Sequence, residues 1–317
     1  MIFHKTIEKV YKTAMFSRCD DTGLLHYFSH EDFRGMDATP YSFLSSLGHT
    51  LNGYFYSYIG YDPQRLVVFD HGFGGGHRSY MKEIQKLAKE GYLVFAYDHT
   101  GCMTSGGEGT GGLCQSLRDL DDCLKALKQD PAIAAKELYV VGHSWGGFST
   151  LNIAKYHPDV KKIVVLAGFV SVEKMLEQNF SGMLRGYRPY IYALEQKTNA
   201  DYIAANAVET LQNSQVQALL IYDEKDSLVR KAVHYDALYE ALHTNDRISF
   251  ILTREKGHNP NYTAEAVAHL AALSKALKKA KKLKTPQQKQ AFRDKFDWNA
   301  MTEQDHELWE KIFLFLA

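Results

Sequence analysis

The sequence has 317 residues, 45% of them apolar, enough to give one large α/β domain or two small ones a sizeable core; wholesale disorder is excluded. Lysine plus arginine number 37 and so do aspartate plus glutamate, a balance that argues against a protein built mainly to hold nucleic acid or an anionic membrane. Glycine is the uneven component: 14 of the 23 fall between Gly72 and Gly147, and glycine gathers where the backbone takes positive φ or comes close to another group.

The first ten residues hold no apolar core of secretory-signal length, and no run approaches the roughly 20 residues of a membrane span. Cys19, Cys102, Cys114 and Cys123 form no CxxC pair and no zinc-like spacing, so free thiols in a reducing cytoplasm are expected. Strands are predicted at Gly53–Ile59, Leu66–Phe69, Leu93–Tyr97, Leu138–Val141, Ile163–Leu166, Ala218–Tyr222 and Ile248–Leu252. Helices are predicted over about Ser79–Lys89, through Leu117, Leu120, Leu124 and Leu127, and from near Phe148 to about Tyr156. Short unalternated apolar strands separated by helices predict a parallel sheet covered on both faces.

Two segments interrupt this rhythm. Residues 170–213 lie where one helix would suffice, carry several tyrosines and arginines, and are expected to form a cap inserted over the strand ends. Lys275–Lys284 holds six lysines in ten residues, expected to be a solvated helix face. A last helix carries Leu308, Trp309, Ile312, Phe313 and Leu316 on one face, with Thr302 and Asp305 as its capping box.

The strand Leu138–Val141 runs into Gly142-His143-Ser144-Trp145-Gly146-Gly147 and then a helix, a G-x-S-x-G turn in the strand–turn–helix context its sterics require. A serine in this turn stands at a helix N-terminus, where the dipole favours developing negative charge. It needs a base and a group to orient that base, and in this architecture both follow the serine, each after a later strand. His258, in the loop after Ile248–Leu252, is the expected base. Asp226, after Ala218–Tyr222, is the expected acid, with Asp223 its rival because it lies closer to the strand end. An oxyanion would be held by the backbone N–H groups of Trp145 and of Phe73, the latter in the glycine loop His71-Gly72-Phe73-Gly74-Gly75-Gly76. His71 and His143, beside glycine turns, are expected to pack or to line the site. The loop lacks both the P-loop ending and a G-x-G-x-x-G spacing, so nucleotide binding is not expected.

At the HGFGGG loop, the segment from Tyr97 to Gly106, GHSWGG, Y-D-E-K-D and K-G-H-N, the sequence resembles the α/β-hydrolase superfamily. The resemblance implies an α/β-hydrolase fold: a mostly parallel eight-stranded sheet with helices on both faces and a small helical cap, in a single domain over 1–317. It also implies a Ser144–Asp226–His258 triad, with the turn at Asp98 structural. In the family the final helix follows the histidine closely, so residues 264–297 are expected to be an added helical excursion. The chemistry expected is acyl transfer by a serine hydrolase on a small-molecule carboxylic ester, without metal or organic cofactor. A peptidase or amidase, and a non-catalytic binding protein of the same fold, are the alternatives. Arg185, Arg188 and Tyr187 of the cap are the expected substrate contacts.

Overall fold

In the computed structural model, which describes residues 2–317, eight strands form one sheet in the order β1-β2-β4-β3-β5-β6-β7-β8. They are β1 Asp37–Leu44, β2 Thr50–Ser57, β3 Asp62–Asp70, β4 Tyr92–Tyr97, β5 Glu137–His143, β6 Lys162–Leu166, β7 Gln217–Asp223 and β8 Ile248–Thr253. β2 runs antiparallel to both β1 and β4, and all the remaining pairings are parallel. The mostly parallel sheet covered on both faces is therefore as the sequence predicts.

The reason is visible along β3. Leu66 and Val68 enter one core cluster while Val67 and Phe69 enter the other, so an unbroken apolar run fills both faces. Helices α1 Ile2–Met15, α2 Met81–Lys89, α3 Gln115–Gln129, α4 Pro131–Ala134 and α5 Trp145–Asn152 precede β6. Between β6 and β7 come α6 Val172–Asn179, α7 Arg188–Thr198 and α8 Ala207–Gln212. The chain ends with α9 Tyr235–Leu242, α10 Ala264–Ala280, α11 Pro286–Arg293, α12 Trp298–Met301 and α13 His306–Leu316. α2 and α13 cover one face, with Ile84, Leu87, Trp309 and Ile312 packed on Val67, Phe69, Val94 and Val141. α3, α5 and α9 cover the other, together with Tyr11 of α1. α10 to α12 surround a small separate cluster of Leu24, Leu273, Phe292 and Met301, and all six lysines of 275–284 face solvent. No helix among the described residues is long and apolar enough to cross a membrane.

Several boundaries differ from expectation. β1 escapes a sequence reading because it is an edge strand that carries Pro40, in which Phe43 alone is buried. α1 also escapes, although Ile7, Tyr11 and Met15 keep helical spacing and turn toward the core. α5 starts at Trp145, directly after Ser144, and tightens into a 3-10 turn at Ile153–Lys155. Ile59 is not part of β2 and is fully exposed. Asp305 caps α13 by accepting from Leu308 N at 3.0 Å, whereas the Thr302 hydroxyl donates backward to Trp298 O at 2.7 Å, so the two do not form one capping box.

Beneath the C-terminal ends of β3 and β4 lies a wholly buried charge cluster. His99 stands between Asp70, 3.0 Å away, and Asp119, 3.3 Å away. Burial alone would lower its pKa, but the two carboxylates outweigh it and raise it to about 10. The carboxylates are themselves satisfied: Asp70 accepts from Tyr97 Oη at 3.0 Å and from Ser149 Oγ, and Asp119 accepts from Thr100 N at 2.7 Å. The His99 ring lies 4.8 Å from that of Trp145 and 4.4 Å from that of His71, so the cluster supports both turns that follow β3 and β5.

Two stability outcomes follow. Trp309 is buried and its Nε1 donates to Gln304 Oε1 at 2.8 Å; Trp309→Ala should cost about 3–5 kcal/mol in urea unfolding, and a cost under about 1 kcal/mol would contradict this packing. A folded-state pKa raised above the unfolded value contributes stability that is complete below about pH 6.5 and is lost as pH rises toward about 10. The unfolding free energy from urea titrations between pH 7 and 9 should therefore fall in the wild type, by up to about 1.4 kcal/mol per pH unit, and much less in His99→Gln. Parallel profiles for the two proteins would contradict a charged His99.

Candidate active site

β5 ends at His143 and α5 begins at Trp145, which leaves Ser144 alone between them at φ 56° and ψ −107°. A serine at positive φ is strained, and the surroundings hold it there. Ser144 N donates to Leu166 O at 2.8 Å, and Phe148 N donates to Ser144 O at 2.9 Å. The turn fits because residue 146 has no side chain: a Cβ there would overlap the carbonyl oxygen of Asp70 at the end of β3. Trp145 occupies the first position of α5, so its N–H has no acceptor within the helix.

The side chains of Ser144, His258 and Asp226 form one hydrogen-bonded chain. His258 Nε2 lies 2.8 Å from Ser144 Oγ, and His258 Nδ1 lies 2.8 Å from Asp226 Oδ2. The other carboxylate oxygen of Asp226 accepts from Leu228 N at 2.8 Å and Val229 N at 3.0 Å. Burial would raise the Asp226 pKa, but the hydrogen bond from His258 and these amides outweigh it and hold it below the ordinary value. Asp223 does not touch His258. Its Oδ1 accepts from Lys225 N and Gly257 N, both at 2.9 Å, and its Oδ2 accepts from Thr253 Oγ1 at 2.8 Å and Lys256 N at 3.0 Å. Asp223 thus anchors the loop that carries His258, and Asp226 contacts the imidazole.

His143 holds that loop from the opposite side. Burial, reinforced by the neighbouring His258 ring, pushes the His143 pKa down to about 3, so the ring is neutral. Its Nε2–H then donates to the His258 carbonyl at 2.7 Å and its Nδ1 accepts from Tyr80 Oη at 2.9 Å. Tyr80 Oη in turn accepts from Gly72 N at 3.1 Å. His71 is likewise neutral, lowered to about 3 by burial and by His99; its Nδ1–H donates to Gly72 O at 2.8 Å and its Nε2 accepts from His99 N at 3.0 Å. Of the loop amides, Gly72 N–H is taken by Tyr80, and Phe73 N–H is the next along the chain. The Phe73 and Trp145 rings meet edge-on at 5.1 Å beside Ser144.

The hydroxyl opens into a cavity of about 440 Å³, whose walls include Tyr11, Met15, Phe169, Leu176 and Leu228. None of its lining residues among those described is a lysine, arginine, aspartate or glutamate. The expected contacts Arg185, Arg188 and Tyr187 do not line it. Arg185 is exposed, and Arg188 spends its guanidinium on Phe180 O at 2.6 Å and Glu177 O at 3.1 Å, which knits the 172–198 segment together. Instead α1 supplies Tyr11 and Met15, four residues apart on one helical face, the signal that would have found them. Tyr11 Oη donates to Glu195 Oε1 at 2.6 Å, and Glu195 Oε2 accepts from Leu113 N at 2.9 Å, which joins α1, α7 and the cavity wall.

Comparison with known proteins identifies the family and the fold. The profile of the family described as "Serine aminopeptidase, S33" matches residues 61–254, which is more than half of the chain. A proline iminopeptidase of Clostridioides difficile is 25% identical over 143 residues, covering 45% of this chain and 46% of that one. A monoacylglycerol lipase of Mycolicibacterium smegmatis is 31% identical over 112 residues, covering 34% of this chain and 38% of that one. These matches span less than half the length of either relative. Among solved structures, an esterase of Pyrococcus furiosus superposes with a TM-score of 0.59 at 18% identity, covering 84% of this chain and 98% of that one. An acetyl xylan esterase of Paenibacillus sp. R4 gives 0.58 at 16% identity, covering 88% and 93%. With a parallel sheet, a serine turn after β5 and a family profile spanning the sheet from β3 to β8, the chain belongs to the serine aminopeptidase S33 family of α/β-hydrolases.

Proposed function

We propose that the protein is a serine hydrolase that cleaves carboxylic esters of apolar acyl groups through an acyl-enzyme. The observation that carries this reading is the Ser144–His258–Asp226 chain opening into an apolar cavity without a charged wall. His258 Nε2 takes the Ser144 proton as Oγ attacks the carbonyl carbon, and Asp226 stabilises the imidazolium that forms. The oxyanion accepts from Trp145 N–H at the elbow and from Phe73 N–H in the glycine loop. His258 then protonates the departing alcohol, and a water activated by the same imidazole releases the acid.

The wall of the cavity favours an ester over a peptide trimmed from its amino end. An enzyme of the latter kind must seat an ammonium group, and burying one without a carboxylate is expensive. The cavity offers no such carboxylate among the described residues, and Glu195 is committed to Tyr11 and Leu113. The prolyl peptidases among the relatives make the amide reading the one to test against.

Turnover of p-nitrophenyl butyrate and octanoate, compared with proline p-nitroanilide, separates the two. The esters should be hydrolysed at least about a hundredfold faster in kcat/KM, a difference of about 2.7 kcal/mol in transition-state binding; a preference for the anilide would overturn the ester reading. Ser144→Ala should lower kcat by several orders of magnitude, on the scale of triad removal. The two aspartates should separate cleanly. Asp226→Asn should lower kcat by roughly 10⁴-fold with little change in fold. Asp223→Asn should instead cost about 1–3 kcal/mol of stability as its four donors lose a charged acceptor, seen in urea unfolding. The reverse pattern would assign the acid to Asp223.

A further inference from the structure

Outside the Ser144 chain, one pair of nucleophilic side chains is brought together by the backbone. The segment after α1 runs beside the loop after β4 as a short parallel bridge that sets Cys19 directly opposite Cys102. Cys19 N donates to Gly101 O at 2.9 Å and Met103 N donates to Cys19 O at 3.0 Å. Arg18 locks the register by donating to Met103 O at 2.7 Å, Ser105 O at 3.0 Å and Gly107 O at 2.7 Å. Residues paired directly across a bridge point to one face with backbones about 4.8 Å apart, inside the Cα spacing a disulfide spans. Cys114 and Cys123, by contrast, are both buried on α3 or at its start, with no cysteine partner.

The two sulfurs are unequal. Cys102 is buried, and its partner Cys19 is partly open to solvent. The Cys102 S–H, with help from Gly74 N–H and Arg18, lowers the Cys19 thiol to about 7 against its burial, while Cys102 is raised by the same contact and by its own burial. Cys19 is therefore the accessible thiolate and Cys102 the protected resolving thiol.

We propose that Cys19 and Cys102 are a thiol-oxidation site, which a peroxide converts to a disulfide that ties the N-terminal segment to the loop after β4. The chemistry balances in two steps. The Cys19 thiolate attacks one peroxide oxygen, the O–O bond breaks, hydroxide leaves, and Cys19 becomes a sulfenic acid. The Cys102 sulfur then displaces the sulfenic hydroxyl, which departs with the Cys102 proton as water, so two thiols lose two electrons and one peroxide is reduced.

The test is treatment of the folded full-length protein with hydrogen peroxide, followed by alkylation under denaturing conditions and peptide mass mapping. A Cys19–Cys102 cross-linked peptide should form, with Cys114 and Cys123 still alkylated. Cys102→Ser should instead accumulate a sulfenic acid on Cys19 that dimedone traps, and Cys19→Ser should form no cross-link. Absence of the cross-link in the wild type, or oxidation of Cys114 and Cys123 at the same rate, would overturn the site.

Discussion

The close approach of Gly146 to the main chain of Asp70 governs the site. β3 and β5 are adjacent parallel strands with Asp70 opposite Gly142, so the chains leaving them emerge side by side at one edge of the sheet. α5 can start immediately after Ser144 only if it presses against the end of β3, and any side chain at position 146 would collide with the Asp70 carbonyl. That contact forces the positive φ of Ser144 and puts the helix N-terminus beside its hydroxyl. The strain is sustained from below by the His99 cluster, whose charges are paired with Asp70 and Asp119 out of contact with water.

Parallel topology supplies the rest of the geometry. β3, β5, β7 and β8 all deliver their C-terminal ends to the same edge, so residues separated by more than a hundred positions meet within hydrogen-bond distance, as Ser144 and His258 do. Loops that converge in this way need ties between them. Asp223 binds the backbone of the β8 loop, His143 binds the carbonyl of His258, and Tyr80 joins His143 to the glycine loop. Both His71 and His143 are kept neutral by burial, which lets each donate from one nitrogen and accept at the other.

What the sequence made legible, and what it hid, divide along physical lines. The central strands were readable because burial on both faces demands unbroken apolar runs such as Leu66–Phe69. Ser144, Asp226 and His258 could be singled out because residue type, chain order and position after a strand are all constrained by the chemistry. The choice between Asp226 and Asp223 could not be made from spacing, since it depends on which carboxylate reaches His258 once the β7 loop has turned. The substrate contacts were misplaced for a similar reason: Arg188 has a charge that suggests a ligand, yet its guanidinium is consumed by Phe180 O and Glu177 O. β1 was hidden because an exposed edge strand carries little apolar signal, and the cavity wall from α1 because its helical pattern went unmatched to any strand.

The proposed hydrolysis rests on a single side chain, an activated Ser144 hydroxyl. Incubation of the folded protein with a fluorophosphonate, followed by peptide mass analysis, measures that reactivity without any assumption about substrate. One phosphonyl adduct is expected on Ser144, and none when the protein is denatured before labelling or in Ser144→Ala. An unlabelled folded protein, or an adduct on any other residue, would contradict it.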